Sequence, residues 1–227
     1  MTRFSVDLRL IEIEYELWAL GQFLEFIEPQ IQYLHDQDRI RTFAQLREAG
    51  WDHDEAELDL ASQEIRERQQ YVVPRFMRGP FIVALSACFQ AGLTELANYK
   101  KRELDAPLSL NEIRAEDYLK QARRYFEAVL QMPVDLDEAR YSRLSDMLLI
   151  RNSLAHANGQ RRAMSANAWH ALTDALKRRC SPADESRGVV ILTAEYVKNA
   201  YTDVNACLRD LVHRCRGGPA VRKLGPA

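Results

Sequence analysis

The sequence predicts an all-α protein, an up-and-down helical bundle with long first and second helices and one short extended segment before the last helix. Three observations point there. The 227 residues are 47% hydrophobic and 28% charged, which is typical of a globular chain. Nine Gly and eight Pro leave few turn residues for an all-β sandwich. Apolar residues recur at spacings of three and four along most of the chain, which is the helical period.

The first helix is predicted by an apolar stripe whose members are spaced alternately by three and four residues. The stripe consists of Leu10, Ile13, Leu17, Leu20, Leu24, Ile27, Ile31 and Leu34. Further aromatic residues widen it, so we expect a bundle partner or another chain to cover this helix. Pro29 lies in its path and should kink or interrupt it. A polar, helix-favouring stretch follows between Asp54 and Gln70.

The second long helix is predicted over Phe81 to Tyr99, which is apolar nearly all round, as expected of the central helix of a bundle. Pro80 suits the first turn of this helix. Ser109 and Glu112 have the spacing of a capping box for the next helix, which Pro133 ends.

The remaining helices follow at short intervals. One is predicted over Asp137 to about His156, with Ala157-Asn158-Gly159 as its stop. A shorter one covers Ala166 to Arg179. Gly188 to Leu192 is the only convincing β run, and Thr193 can cap the final helix.

We expect a single helical domain over residues 1–216. Within it, residues 1–70 form the long first helix and an extension, and residues 71–216 form the core. Residues 217–227 are expected to be a flexible tail.

Charge is unevenly distributed. Residues 5–70 hold 16 Asp and Glu against 6 Arg, whereas residues 151–179 hold six Arg and Lys against Asp174 alone. A basic stretch favours a polyanion as partner, although a solvated face of mixed charge explains it equally well. No apolar run approaches the roughly 18 residues of a membrane span, and the N-terminus lacks a secretory signal. We therefore expect a cytoplasmic protein with no membrane partner.

The four cysteines, Cys88, Cys180, Cys207 and Cys215, include no C-x-x-C pair and no nearby His at ligand spacing. This pattern argues against a finger-type zinc site and against a disulfide framework. They are expected to be small core residues or surface thiols. We expect no metal and no other cofactor.

One polar constellation stands out at the end of a predicted apolar helix, Arg151-Asn152-Ser-Leu-Ala-His156. Asn152 and His156 are four residues apart and therefore neighbours on one helical face. Arg151 and His156 lie about 140° apart on a regular helix, so they flank a site unless a second copy of the helix crosses this one. A two-fold interface would bring both pairs into one cleft.

Such a cleft has the groups that RNA cleavage by internal attack needs. A histidine can take the proton of a 2′-hydroxyl or give one to the leaving 5′-oxygen. An arginine can hold the phosphate and stabilise the charge of the transition state. An asparagine can orient the imidazole or bind the phosphate. Because the substrate supplies the nucleophile, the reaction requires no metal.

This pattern resembles the HEPN superfamily (higher eukaryotes and prokaryotes nucleotide-binding), whose signature is Arg, four to six residues and His, often with Asn second. The resemblance covers roughly residues 70–215. Residues 78–99 resemble the long apolar second helix of the family. Gly159 matches a glycine that often follows the motif, and residues 188–211 resemble the short extended segment and the last helix of the family. Residues 1–70 are less diagnostic.

The resemblance implies a metal-independent endoribonuclease that acts as a homodimer with the motif helices facing each other, in a toxin–antitoxin or antiviral-defence system. Arg151 and His156 would be the catalytic pair, with Asn152 in support. An antitoxin or a companion defence protein would then be a possible partner. Relatives often carry an acidic residue in the second helix, where this chain offers Gln90 or, further along, Glu95.

Further residues near the motif are candidates for RNA contacts. Arg161 and Arg162 follow the motif and could bind the phosphates of the RNA backbone. The alternative is that they are ordinary solvated arginines. Trp169 with His170 could stack a base, but Trp169 is more simply a core residue.

Two other functions stay open. A catalytically silent HEPN domain would bind a nucleotide, an RNA or a protein. A structural interaction module would instead act through the stripe of the first helix. The motif residues also have a structural interpretation, because Arg151 and His156 are cations near a helix C-terminus and Asn152 could bind the backbone.

Overall fold

The computed structural model describes residues 8–134, 136–179, 181, 183–184 and 187–217. It confirms the predicted fold class, since the chain is an all-α helical bundle, 81% helical and with almost no strand. The helices are α1 (Leu8–Glu48), α2 (Glu55–Glu67), α3 (Val73–Leu104), α4 (Tyr118–Arg124), α5 (Glu138–Ala157), α6 (Ala166–Arg178) and α7 (Ala194–Cys215). Two-residue strands β1 (Ala183–Asp184) and β2 (Val189–Val190) pair antiparallel. Apart from Gly217, the predicted tail lies outside the described residues.

Pro29 and Pro80, two of the three prolines placed at helix breaks, lie inside continuous helices. Helix α1 runs through Pro29 without interruption. Pro80 lies in the interior of α3, so the predicted start at this residue is wrong. Each proline removes one hydrogen bond, but Pro29 and Pro80 are on exposed positions whose neighbours are fully buried, such as Ile27 and Phe81. Packing of these neighbours outweighs the local preference.

Helices α2 and α3 form one continuous helix over residues 55–104, because a π-helical turn, Arg68–Val72, joins them. Part of this helix is long and apolar enough to cross a membrane, but half of that part is buried inside the protein, as in the core helix of a soluble protein.

The predicted capping box forms but opens only a short 3-10 turn, Leu110–Glu112. The Glu112 carboxylate accepts hydrogen bonds from the backbone N–H and the hydroxyl of Ser109, both at 2.6 Å. Helix α4 begins later, where the side chain of Asp117 accepts a hydrogen bond from the Lys120 N–H at 2.8 Å. A second π-helical turn, Tyr125–Val129, follows it.

The stripe on α1 is narrower than predicted. Leu10, Ile13, Leu17, Ile27 and Ile31 are buried. The aromatic residues expected to widen the stripe are exposed, and they include Tyr15, Trp18, Phe23 and Phe26.

The chain divides into two compact units. The first takes its described residues from Met1–Leu20, Ala84–Leu148 and Asn199–Ala227. Within it α3 and α7 approach closely at Gly92, where a Cβ would lie 3.0 Å from Leu208 Cδ1. Arg143 donates two hydrogen bonds to the buried Asp203, at 2.6 and 2.8 Å.

The second unit comprises Gly21–Val83 and Leu149–Lys198 and contains the motif. Its core is centred on Phe81, Ile82, Ile150, Leu172, Leu176 and Val197, all nearly inaccessible to solvent. Arg78 on α3 ties this unit together, because it donates to both carboxylate oxygens of Glu28 on α1, at 2.8 and 2.7 Å, and to the carbonyl of Leu192 at 2.8 Å.

Candidate functional site

The motif occupies the last two turns of α5, where the helix is anchored and then stopped. Ile150 is fully buried and holds the helix against the core. The Gly159 N–H donates to the Ser153 carbonyl at 3.1 Å, and Asn158 and Gly159 adopt φ of +49° and +64°. Two successive left-handed residues thus end the helix within the stop predicted at Ala157-Asn158-Gly159. Since the helix end is held by backbone bonds, the motif side chains start from a defined position.

The structure brings Arg151 and Asn152 together and leaves His156 open. Arg151 Nη1 donates to Asn152 Oδ1 at 2.9 Å. Arg151 Nε is shielded from solvent but has no hydrogen-bond partner in the described part of the chain. Asn152 and His156 are exposed on neighbouring turns. The imidazole of His156 forms no hydrogen bond with any described residue, so both its nitrogens can meet a ligand.

Arg75 on α3 is a member of this site that the sequence analysis missed. Its Nη2 donates to the Asn158 carbonyl at 2.8 Å, and its guanidinium lies 5.3 Å from the Phe76 ring centroid. Burial lowers the pKa of Arg75, and the positive charge of Arg162 lowers it further. The pairing of Arg75 with the end of α5 joins positions 83 residues apart, so no local pattern signals it.

Arg161 and Arg162 lie in a short 3-10 turn, Arg161–Ala163, directly after the motif helix. The turn is fastened to the strand segment before α7, because the Arg161 N–H donates to the Gly188 carbonyl at 2.8 Å and the Val190 N–H donates to the Gly159 carbonyl at 2.9 Å. Both arginine side chains are exposed. Arg162 Nε donates to Gln160 Oε1 at 2.7 Å.

A pocket of about 760 Å³ opens beside this turn. Its lining includes Arg161, Arg162, Ser165 and, from the segment before α7, Arg187 and Gly188. Arg187 is a second residue that the sequence analysis missed.

The charge around the motif is predominantly positive. Among the described residues no carboxylate forms an ion pair with Arg75, Arg151, Arg161 or Arg162. Elsewhere in this unit, Arg68 and Arg78 each have a carboxylate partner at 2.8 Å or less. Four unpaired guanidinium groups close to one helix end favour an anionic ligand.

Other candidates from the sequence do not form a site in the described residues. Burial raises the pKa of Cys88 and Cys207 to about 12 and that of Cys215 to about 11, so these thiols are not nucleophiles near neutral pH. Cys180 lies outside the described residues. No cluster of three or more His, Cys, Asp or Glu side chains suited to a metal occurs in the described part of the chain.

The residues considered as supporting contacts are placed as follows. Trp169 is buried in the core, as its simpler interpretation predicted, and His170 is exposed with its Nδ1 2.9 Å from Asp174 Oδ2. Gln90 is half-buried and Glu95 exposed, and both belong to the first unit rather than to the unit that holds the motif.

Comparisons with models of protein families, with curated proteins and with solved structures give no match for this chain. The chemistry of the residues around the motif is therefore what points to a function.

Proposed function

We propose that the protein is a metal-independent endoribonuclease of the HEPN type that acts as a homodimer. One observation carries the proposal. An arginine without a carboxylate partner, bonded to Asn152, and an open imidazole at His156 share one helix end within a surplus of positive charge. These groups are what cleavage of a phosphodiester by a neighbouring hydroxyl requires.

The chemistry balances without any group outside the protein and its substrate. The 2′-oxygen of the RNA attacks the adjacent phosphorus as one His156 imidazole takes the hydroxyl proton. The bond from phosphorus to the 5′-oxygen breaks, and a protonated imidazole gives its proton to that oxygen. The products are a 2′,3′-cyclic phosphate and a 5′-hydroxyl. Arg151 binds the non-bridging oxygens, whose negative charge grows in the transition state.

A second copy of the chain supplies what one helix lacks. Arg151 and His156 are about 140° apart around α5, so one helix cannot direct both at the same phosphate. Two motif helices that face each other across a two-fold axis place an arginine of one copy opposite a histidine of the other. The two imidazoles then serve as base and acid.

The resemblance supports a role as a toxin or antiviral-defence effector in the cytoplasm, held in check by an antitoxin or a companion protein. A second function, binding of RNA or a nucleotide without cleavage, is favoured by one observation. A general base is usually oriented by a third group, and His156 has no such partner among the described residues.

Cleavage of single-stranded RNA in the presence of EDTA tests the proposal. We expect the wild type to leave 2′,3′-cyclic phosphate ends, and we expect His156→Ala to lower the rate by at least about 100-fold, the contribution of a general base or acid. His213→Ala is the matched control, because His213 is also an exposed histidine in the last turn of a helix. Its rate should equal that of the wild type.

Binding without cleavage by the wild type would overturn the nuclease and support the silent module. Full activity of His156→Ala would remove this histidine from the reaction.

A further inference from the structure

The pocket beside the motif has the size and walls of a nucleotide subsite. Its volume of about 760 Å³ falls within the range of about 300–1,000 Å³ that small-molecule sites occupy. A single unstacked nucleotide fits such a space, whereas the stacked bases of a duplex cannot enter it. The volume therefore suits a single-stranded nucleic acid better than a duplex.

Three arginines line the pocket and give it a positive charge. Arg161 and Arg162 come from the turn after α5, and Arg187 comes from the segment before α7. Ser165 and Ala166 add the N-terminal end of the 13-residue helix α6 to the same wall. Arginine forks bind phosphate oxygens in pairs, and a helix N-terminus adds to the positive potential.

The stem of Arg161 and the guanidinium of Arg187 are held in place by neighbouring residues. A Cβ at Gly188 would lie 3.1 Å from Arg161 Cβ, so the glycine, at φ +61°, allows the Arg161 side chain to pack directly over the backbone. The Arg187 guanidinium lies 4.1 Å from the Tyr71 ring centroid and also pairs with Glu67. A guanidinium held in place loses less entropy when it binds.

The pocket is close to the motif along the chain. Gln160, which lines it, is four residues after His156, and a span of four residues reaches at most about 14 Å. A strand with one phosphate at His156 can therefore place a neighbouring nucleotide in the pocket.

We propose that this pocket binds one nucleotide of single-stranded RNA next to the cleaved bond, with its phosphate on Arg161, Arg162 and Arg187. The position of this subsite next to a cleaved bond rests on the proposed function. Its binding of single-stranded RNA can be measured without cleavage. It makes single-stranded RNA the substrate class.

The test is fluorescence anisotropy with a labelled, fully 2′-O-methylated RNA strand, which lacks the attacking hydroxyl and stays intact. We expect the double variant Arg161→Gln/Arg187→Gln to raise the Kd at least about tenfold. It should also flatten the plot of log K against log salt by about 0.7 for each phosphate that the pocket no longer neutralises. Wild type should bind a blunt duplex of the same sequence more weakly, and the double variant should bind strand and duplex alike.

The matched control is Arg102→Gln/Arg209→Gln, which removes the same charge at two exposed arginines of the first unit. A second variant, Ala166→Glu, puts a carboxylate at the exposed first position of α6, where acidic residues favour the helix. This variant should weaken RNA binding with no loss of stability. Weaker binding would then result from repulsion between the carboxylate and the phosphate, and not from unfolding.

The two proposals fail in different ways. If the wild type binds the methylated strand through the pocket but cuts no RNA, the subsite is supported and the nuclease proposal is contradicted. If the wild type cuts RNA and the pocket variants bind and cut RNA as well as the control variant does, the nuclease proposal is supported and the subsite is contradicted. Equal binding of strand and duplex by the wild type also overturns the proposed substrate class.

Discussion

Gly159 shows how much one residue can determine at the end of the motif helix. Its φ of +64° is a left-handed conformation, and a Cβ there would lie 3.2 Å from Val190 Cβ and 3.3 Å from Leu154 Cδ2. A side chain is therefore opposed both by the backbone and by two neighbours that hold the loop in place.

We expect Gly159→Ala to lower the free energy of unfolding by about 2–4 kcal/mol, the sum of backbone strain and overpacking. Gly50→Ala is the matched control, because Gly50 in the same unit has a φ of +74° but no atom within 4 Å of its Cβ position. It should lose only about 1–2 kcal/mol. Urea denaturation of both variants measures the difference, and equal destabilisation would show that Val190 and Leu154 move aside freely.

The residue scale is also where sequence reasoning about the site was strongest. The spacing of Arg151, Asn152 and His156 predicted that all three lie at the end of one helix, and they do. The same spacing could not reveal Arg75 or Arg187. Their places depend on contacts with Asn158, Tyr71 and Glu67, which are distant in sequence.

At the scale of the elements, Arg78 connects α1, α3 and the segment before α7. Its side chain is 14% exposed, and it satisfies two oxygens of Glu28 and the carbonyl of Leu192. Glu28 is 37% exposed, so water can solvate its charge when Arg78 is removed, and the cost comes mainly from the lost hydrogen bonds.

We expect Arg78→Gln to lower the free energy of unfolding by about 2 kcal/mol, because the hydrogen bonds to Glu28 and to the Leu192 carbonyl are lost. Arg68→Gln is the control from the same unit, because Arg68 also pairs with an α1 carboxylate, Asp38, but its side chain is 37% exposed. That variant should lose about 1 kcal/mol or less. Thermal or urea unfolding of both proteins compares them, and similar destabilisation would mean that burial adds nothing to the Arg78 pair.

The helix boundaries show which features are set by neighbouring residues in the chain and which are set by tertiary packing. Thr193 caps the helix that follows it, as its position predicted, because capping is a bond to the next turn. Asp54 caps α2 in the same way, although the sequence analysis did not name it as a cap. Pro29 does not interrupt α1 and Pro80 does not begin α3, because buried neighbours such as Ile27 and Phe81 hold the chain helical around them.

At the scale of the whole molecule, the buried thiols report on global integrity. Cys88, Cys207 and Cys215 are buried and free. Burial disfavours the thiolate and raises the pKa of each to about 11 or 12.

We expect iodoacetamide at pH 8 to leave these three cysteines unmodified in the native protein and to alkylate them fully in urea, as read by mass spectrometry of their peptides. Above about pH 9 the unfolded chain releases thiol protons that the folded chain retains, so stability should fall as the pH rises from about 9 toward 12. Rapid native alkylation of any of the three would show that the core opens locally around it.

The sequence by itself determined the features that depend on neighbours along the chain. The all-α class follows from apolar spacing, the helix caps follow from single side chains bonded to the next turn, and the motif follows from residues within one helix. Tertiary structure alone decided how the elements meet. It covered one side of α1 and left Tyr15, Trp18 and Phe26 exposed, and it brought Arg75 to the end of α5. The reason is physical: local bonds are set by sequence spacing, whereas burial and charge depend on which distant residues pack together.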